Sequence, residues 1–365
     1  RPCGPQGVPA YRPVSALGNL VFSPARVAVV VAADFYRDRS VLVTGATGFI
    51  GSRLIDALQE RGTRIRVLIR PGRVMLPDWR TVEAATGDLA DPVSLERACA
   101  EVEAVFHLAG FAHADAGDTP EFAARHWAVN AEGTFRLLDA ATTAGVRRFI
   151  FLSSVKAVGD PGPYCVDERW DAPPETPYGR AKRAAEQRVL AVGQATGMQV
   201  VNLRPALVYG PGMKGNLPKL IKAARRGWLP SLPDTGNRRS LVCVDDAIQA
   251  LLLAGAHPAA AGQTYILTDG QPHSGCELDR LIRRALGQLD PRWTMPAPVL
   301  YGAAGLADGL SWLMGRRDRR FGDALDKLLG WACYDSAKIS KELGYCPIWT
   351  LEQALPELTI VGWRK

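Results

Sequence analysis

Residues 43–54 read VTGATGFIGSRL, with Gly45, Gly48 and Gly51 recurring at every third position. A short apolar run, VLVTG, ends at the first of these glycines, as buried parallel strands do. From Ile50 onward, Leu54, Ile55 and Leu58 are spaced for one face of a helix. Glycines placed between a strand and a helix have separate tasks. The first permits a tight turn, the second lets backbone approach a pyrophosphate, and the third lets helix and strand pack closely. The helix N-terminus then favours the anion. Glycine spacing alone says little, because loops are rich in glycine; the flanking strand and helix supply the context that the pattern requires. The stretch predicts a dinucleotide-binding turn.

After it the pattern repeats. RIRVLIR (64–70), AVFHLAG (104–110), RRFIFLSS (147–154) and VVNLRP (200–205) read as strands. Helical stretches lie between them, notably Pro92–Ala100 and His126–Ala144. Strand and helix alternating at this spacing imply right-handed crossovers and an α/β fold, a doubly wound parallel sheet covered on both faces. The expected cofactor domain spans 38–207. Past Val208 the alternation becomes irregular and rich in Pro and Gly, which predicts a smaller, discontinuous substrate domain over 208–365, with segments returning to the first. Residues 1–37 show no sustained period and are read as an extension outside the fold. Arg26 and the AVVVAA that follows it shortly resemble a secretory signal only faintly, without a cleavage site.

Of 365 residues, 47% are hydrophobic and 22% charged, enough apolar material for a sizeable core. Collagen-like, wholly disordered and small disulfide-stapled chains are excluded. No run approaches the ~18 apolar residues of a membrane-spanning helix. Val299–Met314, interrupted by Asp308 and followed by the basic Arg316–Arg320, reads as core packing, with a membrane-surface helix as the weaker alternative. The net charge of +7 suits anionic partners, but the basic residues are scattered and no zinc-finger or RNA-binding motif accompanies them. No nucleic-acid partner is expected. The seven cysteines (Cys3, Cys99, Cys165, Cys243, Cys276, Cys333, Cys346) are isolated and never spaced CxxC. Free thiols in a cytoplasmic protein, with no metal site, are the expectation.

An acidic residue roughly 20 positions after the glycines would grip the ribose hydroxyls of NAD. Here the second strand ends in Arg70, followed by Pro71, Gly72 and Arg73. A guanidinium there can pair with a 2′-phosphate, which tilts the choice between NAD and NADP towards NADP, unless both arginines are plain solvated charges. Asp88 in GDLAD (87–91) either hydrogen-bonds an adenine amino group or caps a helix. PYGRAK (177–182) sets Tyr178 and Lys182 four residues apart on one helix face, with Pro177 at the helix start. The ammonium and the positive end of the helix dipole both favour phenolate, predicting a phenol pKa lowered towards neutrality. Such a tyrosine can exchange a hydroxyl proton while hydride moves at the same carbon. Ser153 and Ser154 close the strand FIFLSS, at the end where ligands of open α/β sheets bind. One is expected to cap the next segment, and Ser154 to hold a substrate oxygen beside Tyr178. Asn130, polar within an apolar helix, is expected to be buried with a water or backbone partner.

GxxGxxG, the HLAG strand end, VNAEGT (129–134), LSSVKAVGD (152–160) and YGRAK (178–182), in that order, resemble an extended short-chain dehydrogenase/reductase. Within that superfamily residues 40–357 resemble the NAD-dependent epimerase/dehydratase family, which implies a Rossmann-type sheet. The resemblance implies that the cofactor contacts Gly45, Thr47, Gly48, Phe49, Ile50 and Gly51 of the turn, then Arg70, Asp88, Leu89, Leu108, Ala109, Gly110 and Asn130. It gives catalysis to Ser154, Tyr178 and Lys182, with Tyr178 and Lys182 also on the nicotinamide side. GNLPKLI (215–221) resembles the uridine-contacting loop of sugar epimerases, which points to Asn216 and Leu217. NRRSLVCVDDAIQA (237–250) resembles the segment whose arginine, here Arg239, holds a sugar nucleotide's diphosphate. YDSAKISKELGY (334–345) resembles the family's C-terminal segment. The implied function is C4 epimerisation of a UDP-sugar through a 4-keto intermediate, in a homodimer. The alternative is NADPH-dependent reduction of a 4-keto nucleotide sugar or of a flavonoid- or steroid-like ketone. Val158, where many epimerases carry tyrosine, and Arg70, in place of an acid, depart from the epimerase pattern. A dehydratase fits less well, since Val155 and Lys156 stand where an acid pair is expected.

Overall fold

Strands that are apolar on alternate residues of both faces need helices on both sides. The computed structural model describes residues 34–360 apart from 74, 77, 80, 113–118, 292 and 314–319. In chain order the elements are β1 (Ser40–Thr44), α1 (Phe49–Gln59), β2 (Arg64–Ile69), β3 (Glu83–Thr86), α2 (Pro92–Cys99), β4 (Ala104–His107), α3 (Pro120–His126), α4 (Gly133–Thr143) and β5 (Arg148–Leu152). They continue as β6 (Cys165–Val166), α5 (Pro177–Thr196), β7 (Gln199–Pro205), β8 (Leu207–Tyr209), α6 (Asn216–Arg225), β9 (Leu241–Cys243), α7 (Val244–Ala256) and β10 (Gln263–Leu267). The last are α8 (Gly275–Ala285), α9 (Ala297–Leu313), α10 (Arg320–Leu329), β11 (Cys333–Tyr334), α11 (Ala337–Leu343) and α12 (Leu351–Ile360). A π-helical turn, Trp127–Glu132, joins α3 to α4, and a 3-10 turn, Val155–Ala157, follows β5.

Seven strands form one sheet in the order β10-β7-β5-β4-β1-β2-β3, every pairing parallel. The chain leaves β1 through β2 and β3 in one direction, and returns through β4, β5, β7 and β10 in the other. The order therefore reverses between β1 and β4, and a crevice opens beyond their carboxyl ends. Val43, Phe106 and Ile150 pack on one face with Leu54, Leu58 and Leu251 of α1 and α7. Leu42, Val105 and Phe149 pack on the other with Leu95, Leu137 and Val189 of α2, α4 and α5. A separate cluster gathers Tyr209, Leu217, Ile221, Leu278 and Leu355 between α6, α8 and α12. No helix among the described residues is long and apolar enough to cross a membrane. On α9, Leu300 and Ala304 are buried while Val299, Tyr301 and Leu306 are exposed.

Two expectations need correction. Residues 34–37 belong to the packed fold: Tyr36 is fully buried, and its hydroxyl donates to Leu252 O at 2.8 Å. One ring without a periodic neighbourhood leaves no pattern in sequence to find it by. Residues 1–33, with Cys3, and Met314 to Arg319 lie outside the described residues. The expectation of free thiols fails for one pair: Cys165 of β6 and Cys333 of β11 form a disulfide across 168 residues, with Cα atoms 4.4 Å apart. Strands of two residues that distant in sequence carry no spacing signal of their adjacency. Cys99, Cys243 and Cys276 are buried thiols.

Candidate functional site

The turn between β1 and α1 is shaped by glycines. Gly45 has φ +72°, and a Cβ on it would come within 2.6 Å of Ala109 N and 2.7 Å of Leu108 C. The turn thus lies directly against the chain leaving β4, at the reversal of strand order. A Cβ on Gly51 would collide with Gly45 O and lie 2.8 Å from Ala46 Cα, so helix and turn can approach only with glycine there. α1 starts from Gly48 with no side-chain cap, leaving the first N–H groups of Phe49, Ile50 and Gly51 without a competing side chain. Thr47 and Gly48 are exposed. A glycine cradle that any Cβ would narrow, below uncapped N–H donors, fits the pyrophosphate of a nicotinamide dinucleotide.

Beside the cradle, the register aligns Thr44, His107 and Phe151 across β1, β4 and β5. Thr44 Oγ1 lies 2.7 Å from His107 Nδ1, and His107 Nε2 lies 2.9 Å from Thr134 Oγ1. The Thr134 hydroxyl donates to Asn130 O at 2.8 Å, so it accepts from Nε2–H. Thr44 then donates to Nδ1 and accepts from Ala109 N–H at 3.2 Å. This chain assigns a neutral imidazole, consistent with burial, which pulls its pKa down to about 3, helped by the Lys182 charge. His107 therefore orients the Leu108–Gly110 backbone. A histidine ending a strand has no signature of its own, so nothing in the sequence points to this role.

Asn130 sits in the π-helical turn, a feature frequent at functional sites. It accepts from Phe111 N at 2.8 Å and donates to Phe111 O at 2.9 Å and to His126 Nδ1 at 3.1 Å. Its Oδ1 would be 3.0 Å from a Cβ on Gly110. Asn130 braces the loop from within, through backbone. Asn130→Leu removes these bonds and is expected to lower stability by about 2–4 kcal/mol, read as a shift in urea midpoint. An unchanged midpoint would dismiss the brace.

Ser154 and Tyr178 meet because two segments pack without side chains between them. A Cβ on Gly179 would collide with Lys156 O and lie 2.9 Å from Pro174 Cβ, so the start of α5 rests on the 3-10 turn. Thr176 caps α5 by accepting from Gly179 N at 3.1 Å, and Pro177 occupies its first turn. Ser154 lies beside the Tyr178 phenol, close enough to act on its pKa, and accepts from Lys156 N at 3.2 Å. The expected division between the serines is corrected in one part: the cap is made by Ser154 itself, the serine beside Tyr178, and not by Ser153. The Ser153 hydroxyl is buried without a partner among the described residues. His126 packs edge-on to the Tyr178 ring, centroids 5.5 Å apart, a contact that the sequence did not disclose.

The pKa expected for Tyr178 is also corrected. Desolvation pushes the phenol up to about 12, with the Ser154 side chain opposing and the Glu186 charge adding to the rise. Lys182 does share its helix face, but its ammonium donates to Leu152 O at 2.8 Å and lies 4.6 Å from the Phe151 ring centroid. Burial lowers Lys182 to about 8, and Glu186, four residues on, raises it. Glu186 is itself held by Arg204 of β7, with Nε to Oε1 at 2.9 Å and Nη2 to Oε2 at 2.6 Å, both side chains buried.

The remaining expected residues divide. Arg70 and Arg73 are exposed beyond β2. Asp88 accepts from Ala90 N at 2.9 Å in a local turn, and the cap of α2 is instead Asp91, which accepts from Val93 N at 3.2 Å. Leu89 packs against Gly133, where a Cβ would lie 3.0 Å from Leu89 Cβ. Asn216 is exposed at the start of α6. Leu217, expected at the substrate, turns its side chain into the core at 6% exposure, because Leu217, Ile221 and Ala224 share the inner face of α6. Only its backbone is left for a ligand. Arg239 pairs its backbone with His273 and donates from Nη1 to Gly330 O at 3.0 Å. Burial lowers the Arg239 pKa, while Tyr334 and Asp160 oppose that shift. Among the described residues no carboxylate forms an ion pair with it.

The chain is 30% identical over 326 residues to a UDP-glucose 4-epimerase of Vibrio cholerae, covering 87% of this chain and 94% of that protein. It is 31% identical over 343 residues to a 3 beta-hydroxysteroid dehydrogenase/Delta 5-->4-isomerase of Mycobacterium tuberculosis, covering 87% and 88%. The UDP-glucose 4-epimerase of Thermotoga maritima, solved with UDP-glucose, superposes with a TM-score of 0.67 at 25% identity, covering 87% of this chain and 96% of that one. These relatives include epimerases and dehydrogenases, which use one scaffold for different substrates. The profile of the NAD dependent epimerase/dehydratase family matches residues 41–267, over the cradle, the Ser154–Tyr178–Lys182 group and Arg239, and the chain belongs to that family.

Proposed function

We propose that the protein is an NAD(P)-dependent epimerase acting at C4 of a nucleotide-linked sugar. The observation that carries this reading is Arg239, a largely buried guanidinium with no carboxylate ion pair among the described residues, acted on by the charge of Asp160 in the loop that follows Ser154. A buried fork of N–H donors without an acid partner suits a diphosphate. Ser154 would hold the sugar hydroxyl, Tyr178 would take and return its proton, and Lys182 would hold the cofactor ribose and favour the phenolate. The bound cofactor supplies a hydride acceptor that gives the hydride back. In this reading the protein works as a homodimer.

A second reading, reduction of a lipophilic ketone by NADPH, is favoured by exposed Arg70 at the end of β2 and by the steroid-dehydrogenase relative. The test is the nucleotide released from purified, denatured protein, followed by incubation with UDP-glucose. Near-stoichiometric NAD(H) and appearance of the C4 epimer are the expected result. Protein that releases none, binds NADPH far better than NADH, and loses that preference in Arg70→Glu would transfer the conclusion to the reductase.

A further inference from the structure

The loop between Ser154 and Tyr178 meets the Arg239 segment on a small platform. β6 and β11 pair over two residues only, Cys165 beside Cys333 and Val166 beside Tyr334. β11 is tied to the Arg239 segment. Ser240 N donates to Ala332 O at 2.8 Å, Ala332 N donates to Arg238 O at 2.9 Å, and Tyr334 N donates to Ser240 Oγ at 2.9 Å. Asp160, on the loop, and Tyr334, on β11, are the groups whose charges act on Arg239. The two walls are otherwise joined by the bond from Asp335 N to Val166 O at 2.9 Å and by a small cluster of Val155, Val166, Ile266, Ala332 and Tyr334. A ladder this short is marginal by itself. The covalent link is the strongest tie across it.

We infer that Cys165–Cys333 is a thiol–disulfide exchange site whose oxidised form clasps the two walls of the substrate cleft, and that a dithiol reductant opens it and weakens nucleoside-diphosphate binding. The ligand named here rests on the nucleotide-sugar reading; the clasp does not. Cys165 is exposed, whereas Cys333 is 2% exposed. A reductant thiolate therefore attacks Cys165 Sγ, the S–S bond breaks, and Cys333 leaves as a thiolate that takes a proton. The reductant's second thiol then attacks the mixed disulfide and releases the Cys165 thiolate, which is protonated in turn. The protein disulfide gains two electrons and two protons, and the dithiol becomes a disulfide. Freed of the link, the loop carrying Asp160 separates from β11, and Arg239 loses its fixed setting. The cradle at Gly45–Gly51 and Lys182 are held by the seven-stranded sheet and make no bond to either cysteine strand.

The full chain is compared after air oxidation and after dithiothreitol. Alkylation should modify two fewer cysteines in the denatured oxidised protein than in the reduced one, Cys165 and Cys333 being the difference. Amide hydrogen exchange over 160–170 and 331–336 should quicken on reduction. The Kd for UDP and the KM for UDP-glucose should rise roughly tenfold, with kcat and NADH affinity within about twofold. Cys165→Ser, at an exposed position, should reproduce the reduced state and ignore dithiothreitol. Equal thiol counts, or equal exchange, in the two states would overturn the clasp. So would equal UDP affinity. If UDP binds in neither state the nucleotide-sugar reading falls, and thiol count and exchange still judge the clasp.

Discussion

Tyr178→Phe is expected to lower kcat roughly a hundred- to ten-thousandfold while NADH affinity stays close to that of the wild type. The hydroxyl is the only group lost, and it is the one that meets Ser154. A phenol at about 12 stays protonated at neutral pH, so in the proposed mechanism proton transfer through it depends on positive charge brought near it. Lys182, one helical turn on, is proposed to supply that charge, and its own pKa of about 8 sets when the charge is present. Below it the ammonium is intact; above it the charge fades. The wild-type kcat/KM should therefore fall on the alkaline side of about pH 8. Turnover by Tyr178→Phe within tenfold of wild type would remove the tyrosine from the mechanism. Lost NADH binding in the variant would instead mark a folding role.

Glu186→Ala is expected to destabilise the protein by about 3–5 kcal/mol. Arg204 is 5% exposed and gives both Nε and Nη2 to Glu186. Without the carboxylate its charge stays buried and unpaired, which costs more than the pair itself contributes. Replacing both partners by apolar residues, Glu186→Leu with Arg204→Met, should recover most of the loss. The carboxylate also raises the Lys182 pKa, so its removal lowers that pKa further. The alkaline fall of kcat/KM should then begin at lower pH in Glu186→Gln. Denaturant midpoints for the single and double variants check the first effect, and the pH profile checks the second. Equal midpoints for Glu186→Ala and wild type would show the pair to be dispensable.

Much of the site is legible in the chain because its parts are local. The glycine turn needs seven residues, Gly45–Gly51, and two flanking elements, and the Tyr178–Lys182 pair needs one helical turn. Asn130 betrays itself as a polar residue in an apolar helix. Most of the misses are non-local. Arg204 reaches Glu186 from a neighbouring strand, and His107 acquires its role only because β1 and α4 present Thr44 and Thr134 to its two nitrogens. Leu217 was expected at a ligand from its loop resemblance, whereas the helical face on which it lies turns it into the core. The rise of the Tyr178 pKa could not be read from residue types. Proximity in sequence put a cation near it, but the ammonium is directed at Leu152 O and desolvation prevails.

The parallel α/β sheet, the cradle at the end of β1 and the places of Ser154, Tyr178 and Lys182 after it are legible in the chain alone. Each rests on periodicity or spacing within a few residues, where backbone geometry leaves little choice. Which faces meet is a property of the folded chain. Folding set Tyr36 into the core, joined Cys165 to Cys333 across 168 residues, and gave Arg239 a largely buried place with no acid partner among the described residues. Burial and charge balance depend on what the rest of the chain brings alongside, and no local pattern records that.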